Sequence, residues 1–293
     1  MQELRTFLHY RAGAWAAAGR GRRPVSLAVA CGAVVAVLAA GCGSGSASGG
    51  PAGSGGTARA QTAQQAMTDA VRATTKLNTA HATVTIVAAG QTLTEHLQLQ
   101  LHPRLKASVT LNGMGGAGTI REIIIGTTAY IKISSLSAEL GGKPWIMLSA
   151  HSGGKAGALM HSLLQAASSG NLNSQAQMAK LVKGLHAAGQ QPVDGVPATR
   201  YDGSIKPSAA LPHLPRALRS QLAPLLRQVQ GSLKVSYWID DQHLIRKVVE
   251  TETVRGQQVQ TTMVYQDINQ PVHITRPPAS QVRDSSSVPG LSA

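Results

Sequence analysis

The sequence predicts an α+β fold in which an antiparallel, curved meander sheet forms a half-barrel with helices packed on its concave face. Three observations predict it. Several stretches alternate apolar and polar residues with period two, which puts the apolar side chains of each strand on one face. Leucine-rich segments at helical spacing gather between the early and the late strands. Neighbouring strand runs are joined by short turns, so partners are mostly neighbours in sequence, and no strand-helix repeat requires a parallel sheet.

Taken in order, Gln61 to Leu77 sets Ala66, Ala70 and Leu77 near one side of a modest amphipathic helix. Leu97, Leu99 and Leu101 then oppose His96, Gln98, Gln100 and His102. After Pro103, Leu105, Ala107, Val109 and Leu111 oppose Arg104, Lys106, Ser108 and Thr110. Ile120 to Ile125, a turn at Gly126, and Ala129 to Ile133 continue the meander. Ala156 to Ser168 and Ser174 to Ala188 have the spacing of two helices across a Ser-Gly-Asn break. Pro215 to Val229 reads as a third, kinked at Pro224 and capped by Gly231. Leu233, Val235, Tyr237 and Ile239 alternate with Lys234, Ser236, Trp238 and Asp240. A turn at Asp240 to His243 leads to Leu244–Val254, which pairs with Gln257–Asp267 across Arg255-Gly256.

Composition narrows the chemistry. The 293 residues carry 27 Lys+Arg against 13 Asp+Glu, a formal charge of +14, with 43% apolar and only 3% aromatic residues. So few aromatics leave little to stack on bases, and no basic run exceeds Arg246-Lys247, so the charge fits anionic headgroups and general solubility rather than a nucleic-acid groove. Two cysteines, Cys31 and Cys42, supply neither a disulfide framework nor a Cys-rich metal site.

Arg5, Arg11, Arg20, Arg22 and Arg23 precede an apolar run from Val25 to Ala40 that ends Leu38-Ala39-Ala40-Gly41-Cys42. As a helix that run is about 24 Å long against a hydrocarbon core of about 30 Å, so residues 1–41 read as a signal peptide. Arg22-Arg23 leaves both general secretion and twin-arginine export open. Residues 42–60 form a Gly/Ser-rich linker whose r.m.s. reach is about 23 Å and whose extended limit is about 60 Å. Loss of residues 1–41 removes five Arg and one Glu, leaving 22 basic and 12 acidic residues and a net +10. One domain is expected over 61–278, with a polar tail over 279–293.

Catalytic signatures are absent. Gly113-Met114-Gly115-Gly116-Ala117-Gly118 has dinucleotide-binding spacing, yet the β-branched run that follows is a strand where a helix is required, so it reads as a loop. There is no GxSxG, HExxH or Walker spacing. His96, His102, His151, His161 and His186 lack a partner at i+4, Asp240 and Asp241 belong to a turn, and Glu250 and Glu252 read as a solvated edge. No catalytic residue, metal ligand or cofactor is assigned, and the chain is expected not to be an enzyme.

Ala-Ala-Gly before Cys42 resembles the lipobox of bacterial lipoproteins, with Ala39 where Leu is usual. That resemblance implies a diacylglyceryl, palmitate-type anchor on Cys42 and a place on the extracytoplasmic face of the cell membrane. The order of elements, with Val193-Asp194-Gly195-Val196-Pro197-Ala198-Thr199-Arg200-Tyr201 and Tyr237-Trp238-Ile239-Asp240 before Leu244-Ile245-Arg246, resembles the LppX/LprAFG-type lipoproteins of actinobacteria, relatives in fold of LolA and LolB. It implies an apolar cavity between sheet and helices that takes a lipid or glycolipid. The candidate lining residues are Leu97, Leu99, Val109, Leu111, Ile131, Ile133, Val235, Tyr237 and Met263. The sequence also admits a filled core, in which case the same fold is a non-enzymatic envelope interaction or sensor module with another envelope protein as partner. Periodicity is the same in both cases.

Overall fold

The computed structural model describes residues 62–74, 76–112, 119–134, 138, 140–152, 157, 160, 182–213, 219, 223, 229–254 and 256–288. The segments expected to be signal peptide and linker, with Cys42, lie outside them, as do Gly113–Gly118 and most of the three stretches expected to be helices, Ala156–Ser168, Ser174–Ala188 and Pro215–Val229. Gly157, Met160, Arg219 and Ala223 are helical.

The described chain is dominated by one open, curved sheet. Its strands are β1 Thr79–Ala88, β2 Gln91–Gln100, β3 Lys106–Asn112, β4 Ile120–Ile125, β5 Thr128–Ile133 and β6 Trp145–Ser149, then β7 Lys183–Gln190, β8 Ala198–Ile205, β9 Val229–Asp240, β10 Ile245–Val254, β11 Gln257–Gln266 and β12 Val282–Asp284. The order across the sheet is β12-β6-β5-β4-β3-β2-β1-β11-β10-β9-β8-β7. Two meanders, β1–β6 and β7–β11, are therefore joined by the antiparallel β1–β11 pair, with Val84 opposite Met263. The expected half-barrel is observed, and its seam is made by residues far apart in sequence.

Helix α1 (Ala63–Thr74) begins where Thr62 Oγ1 accepts the N–H of Gln65 at 3.2 Å, an N-cap that satisfies one orphan donor of the first turn. Its buried side chains, Ala66, Met67 and Ala70, pack with Tyr201 and Ile239 over the β7–β9 end of the inner face. Small residues at 66 and 70 allow that close seating. A short helix α2, Pro207–Ala210, follows β8.

Two helical expectations are corrected. Val229, expected to end a helix, opens strand β9, and Gly231 caps no helix: at positive φ it lies inside β9, opposite the register shift between Thr251 and Thr253. Ser174 to Ala188 was expected to be helical, but Lys183–Gln190 is strand β7 at the sheet edge, paired with β8 through His186 opposite Asp202 and Ala187 opposite Tyr201. A register shift between Lys183 and His186 lets Val182 and Leu185, three apart, meet the same apolar cluster with Ile205, Val235 and Val248. Helix-like spacing there arises from a bulged strand. Val182 sits so close over Gly203 that a Cβ at that position would collide with its side chain. The rest of Ser174–Ala188 lies outside the described residues.

The sheet continues past Pro278. Val282–Asp284 runs parallel to β6, and Ser285 and Val288 are buried, the latter within the main core.

Candidate functional site

Pairing register assembles the inner face row by row. The central row runs Tyr201, Tyr237, Val248, Met263, Val84, Glu95, Leu111, Ile120, Ile133 across nine strands from β8 to β5. Beside it lie Tyr265, Ala82, Leu97, Val109, Glu122, Ile131 and Ile146. On its other side are Gly203, Val235, Glu250, Thr261, Ile86 and Leu93. Leu99 stands one row further out, opposite Ala80 and Ala107.

All nine candidate residues therefore share one face. Leu97, Leu99, Val109, Leu111, Ile131, Ile133 and Met263 belong to the largest apolar cluster. Val235 belongs to a second, and Tyr237 packs half-buried between two smaller clusters. Leu77, Leu140, Met160 and Val288 reach this face from outside the strands.

Four carboxyls share the inner face, and the sequence reading did not place them there. Glu95 and Glu122 are 1% and 3% exposed amid Leu97, Val109, Leu111 and Ile131. Period two alone carries that signal, since Glu95 lies two residues before Leu97 and Glu122 between Ile120 and Ile124. Glu250 and Glu252, expected at a solvated edge, lie on β10 between β9 and β11, with Val235 and Thr261 flanking Glu250. Burial, reinforced by the charge of Glu252, pushes the Glu250 carboxyl up to about 7. Burial also raises Glu252. The phenols of Tyr237 and Tyr265 are held above their ordinary range by burial first and then by Glu250. Near neutral pH, Glu250 is thus divided between a hydrogen-bond donor and an anion inside an apolar surface.

The two sequence motifs are explained on the outer face. Asp194 and Gly195, both at positive φ, turn the chain so that Val193 and Val196 bridge. Val193 then packs with Ala198 on Trp238, whose Nε1 donates to Gln191 Oε1 at 3.1 Å. Arg200 and Lys247 lie over the Trp238 ring at 5.3 and 4.7 Å from its centroid. Asp240 closes the β9–β10 turn by accepting the N–H groups of Gln242 and Leu244 on Oδ1, while Oδ2 takes Arg246 Nε at 2.6 Å. These residues are structural. Among the described residues no group of three His, Cys, Asp or Glu could hold a metal, and no helix is long and apolar enough to cross a membrane.

No family model matches the chain. It is 27% identical over 184 residues to an uncharacterized 31.2 kDa protein of the rplA-rplJ intergenic region of Streptomyces griseus, spanning 59% of each chain. Among solved structures it is similar to the lipoprotein LppX of Mycobacterium tuberculosis, at 16% identity and TM-score 0.49 over 73% of this chain and 98% of that one. LprF of Mycobacterium bovis follows at 18% identity and TM-score 0.47, covering 73% and 96%. A LolA superfamily protein of Nitrosomonas europaea matches at 10% identity and TM-score 0.29, covering 73% and 98%.

Proposed function

We propose that the chain is a non-enzymatic lipoprotein, held on the extracytoplasmic face of the cell membrane by a diacylglyceryl group on Cys42, that binds or carries a lipid-like ligand, a lipid or glycolipid, on the inner face of its sheet. The observation that carries this reading is the central row, which spans nine strands and is apolar except for its tyrosines and Glu95. A broad aliphatic surface with a few convergent polar groups is what an acyl chain with a hydroxylated head requires. Affinity comes from methylene burial at about 0.8 kcal/mol each, less the cost of association. Glu250, partly protonated near neutral pH, donates or accepts a hydrogen bond from the head. Leu97, Leu99, Val109, Leu111, Ile131, Ile133, Val235, Tyr237 and Met263 are the proposed contacts.

The test is uptake of a fluorescent fatty-acid probe by delipidated protein. Saturable uptake at one probe per chain, competed by lipid extracted from the source membrane, is expected. Absence of saturable uptake by protein with intact circular dichroism overturns the reading and leaves a filled core, with the chain acting as an envelope interaction module.

A further inference from the structure

Charge is segregated across the sheet. On β2 to β5 both carboxylates, Glu95 and Glu122, face inward and are buried, whereas Lys106, Arg121 and Lys132 alternate with buried inner-face residues and so face outward. His96 does the same on β2. The outer face of these four strands carries no Asp or Glu. One outer row runs Thr83, His96, Thr110, Arg121, Lys132, and in it Arg121 and Lys132 are direct cross-strand neighbours. Like charges in that position are unfavourable in an isolated sheet, and no salt bridge joins either of them to a carboxylate among the described residues.

We infer that this outer face docks on the anionic headgroups of the membrane that carries the chain. Its charge complements phosphate, and the Thr, Ser, Gln and Asn on the outer side of β2 and β3 hydrogen-bond at the headgroup level, while Ile123, Ile125 and the buried Tyr130 make the outer side of β4 and β5 more apolar. The inference rests on the proposed Cys42 anchor for its setting. The linker, with an r.m.s. reach of about 23 Å, keeps the domain within contact of the bilayer. Docking by the outer face turns the apolar face away from the headgroups, so acyl exchange then needs the domain to lift.

All four apolar clusters are built from residues between Ala66 and Val288, so a chain starting at residue 42 keeps the whole described core. That chain, with Cys42→Ser, is sedimented with vesicles of one-third phosphatidylglycerol in phosphatidylcholine and with pure phosphatidylcholine vesicles. Binding only to the anionic vesicles, abolished by high salt, is expected. Each basic residue contributes about fivefold, so Arg121→Gln with Lys132→Gln lowers the partition coefficient about 25-fold. The same variant keeps or slightly gains thermal stability, because opposed like charges are removed. Arg72→Gln with Lys76→Gln, on and just after α1, leaves binding unchanged. Equal binding to both vesicle types, an unaffected Arg121/Lys132 variant, or an equal loss in the α1 pair overturns the docking face. Protein that takes up the acyl probe yet ignores anionic vesicles overturns docking alone. Vesicle binding through these residues without probe uptake overturns the carrier reading alone.

Discussion

Replacing Glu250 with Gln preserves the side chain's shape and removes its titration. In the native protein burial and Glu252 lift this carboxyl from an ordinary 4.5 to about 7. A carboxyl lifted that far corresponds to about 3 kcal/mol of linkage between protonation and folding. The sign follows from which state binds the proton more tightly. Because the folded value is the higher one, the stabilisation is fully present below the unfolded value and is lost as pH rises through the folded one. Wild type therefore loses about 3 kcal/mol relative to Glu250→Gln between pH 4.5 and somewhat above 7. Urea unfolding followed by tryptophan fluorescence at closely spaced pH values gives both curves. Their difference cancels groups that titrate alike in both and are not coupled to Glu250. Parallel curves across this window refute the burial of an uncompensated carboxyl. So does a wild type that gains stability as pH rises, the behaviour of a salt-bridged carboxylate.

Other outcomes follow from the same structure. Asp240→Ala leaves half-buried Arg246 and two turn N–H groups unmatched and costs about 2–3 kcal/mol in urea unfolding, while Asp240→Asn costs less because the turn acceptor remains. Gly195→Ala places a Cβ at φ +79 and costs about 1–2 kcal/mol by the same assay, with little change in Trp238 burial. Cys42→Ser releases the protein into the medium or leaves it unprocessed, which fractionation of membrane and medium reads; normal maturation with unchanged membrane retention refutes the anchor.

The meander and its inner face were legible because Leu, Ile and Val alternate sharply with charged or amide residues on β2, β3 and β9. Strand β1 alternates just as regularly, but its contrast is Ala and Val against Thr and His, too weak to separate from the preceding helix. On β6 Trp145, Ile146 and Leu148 are all buried, so period two vanishes. Strand β7 imitated a helix because a bulge brings residues three apart together. The β1–β11 seam and the β12–β6 pair join segments that no local pattern links. Among the candidate residues, the common face of the nine apolar positions was readable from parity. Glu95 and Glu122 obey the same parity, but a carboxylate in an apolar row reads as a surface residue until the register is known. Glu250 and Glu252 were assigned to a solvated edge because β10 past Val249 reads Glu-Thr-Glu-Thr, polar on both faces, so parity does not show which face points inward.

Native mass spectrometry of the protein extracted gently from its own membrane tests the ligand most directly. The account predicts a population heavier than the acylated chain by the mass of one noncovalent lipid, released on activation and diminished by substitutions that crowd the inner face at Leu111 and Val109. Only the mass of the acylated chain, in preparations that also fail to gain lipid on incubation, contradicts it.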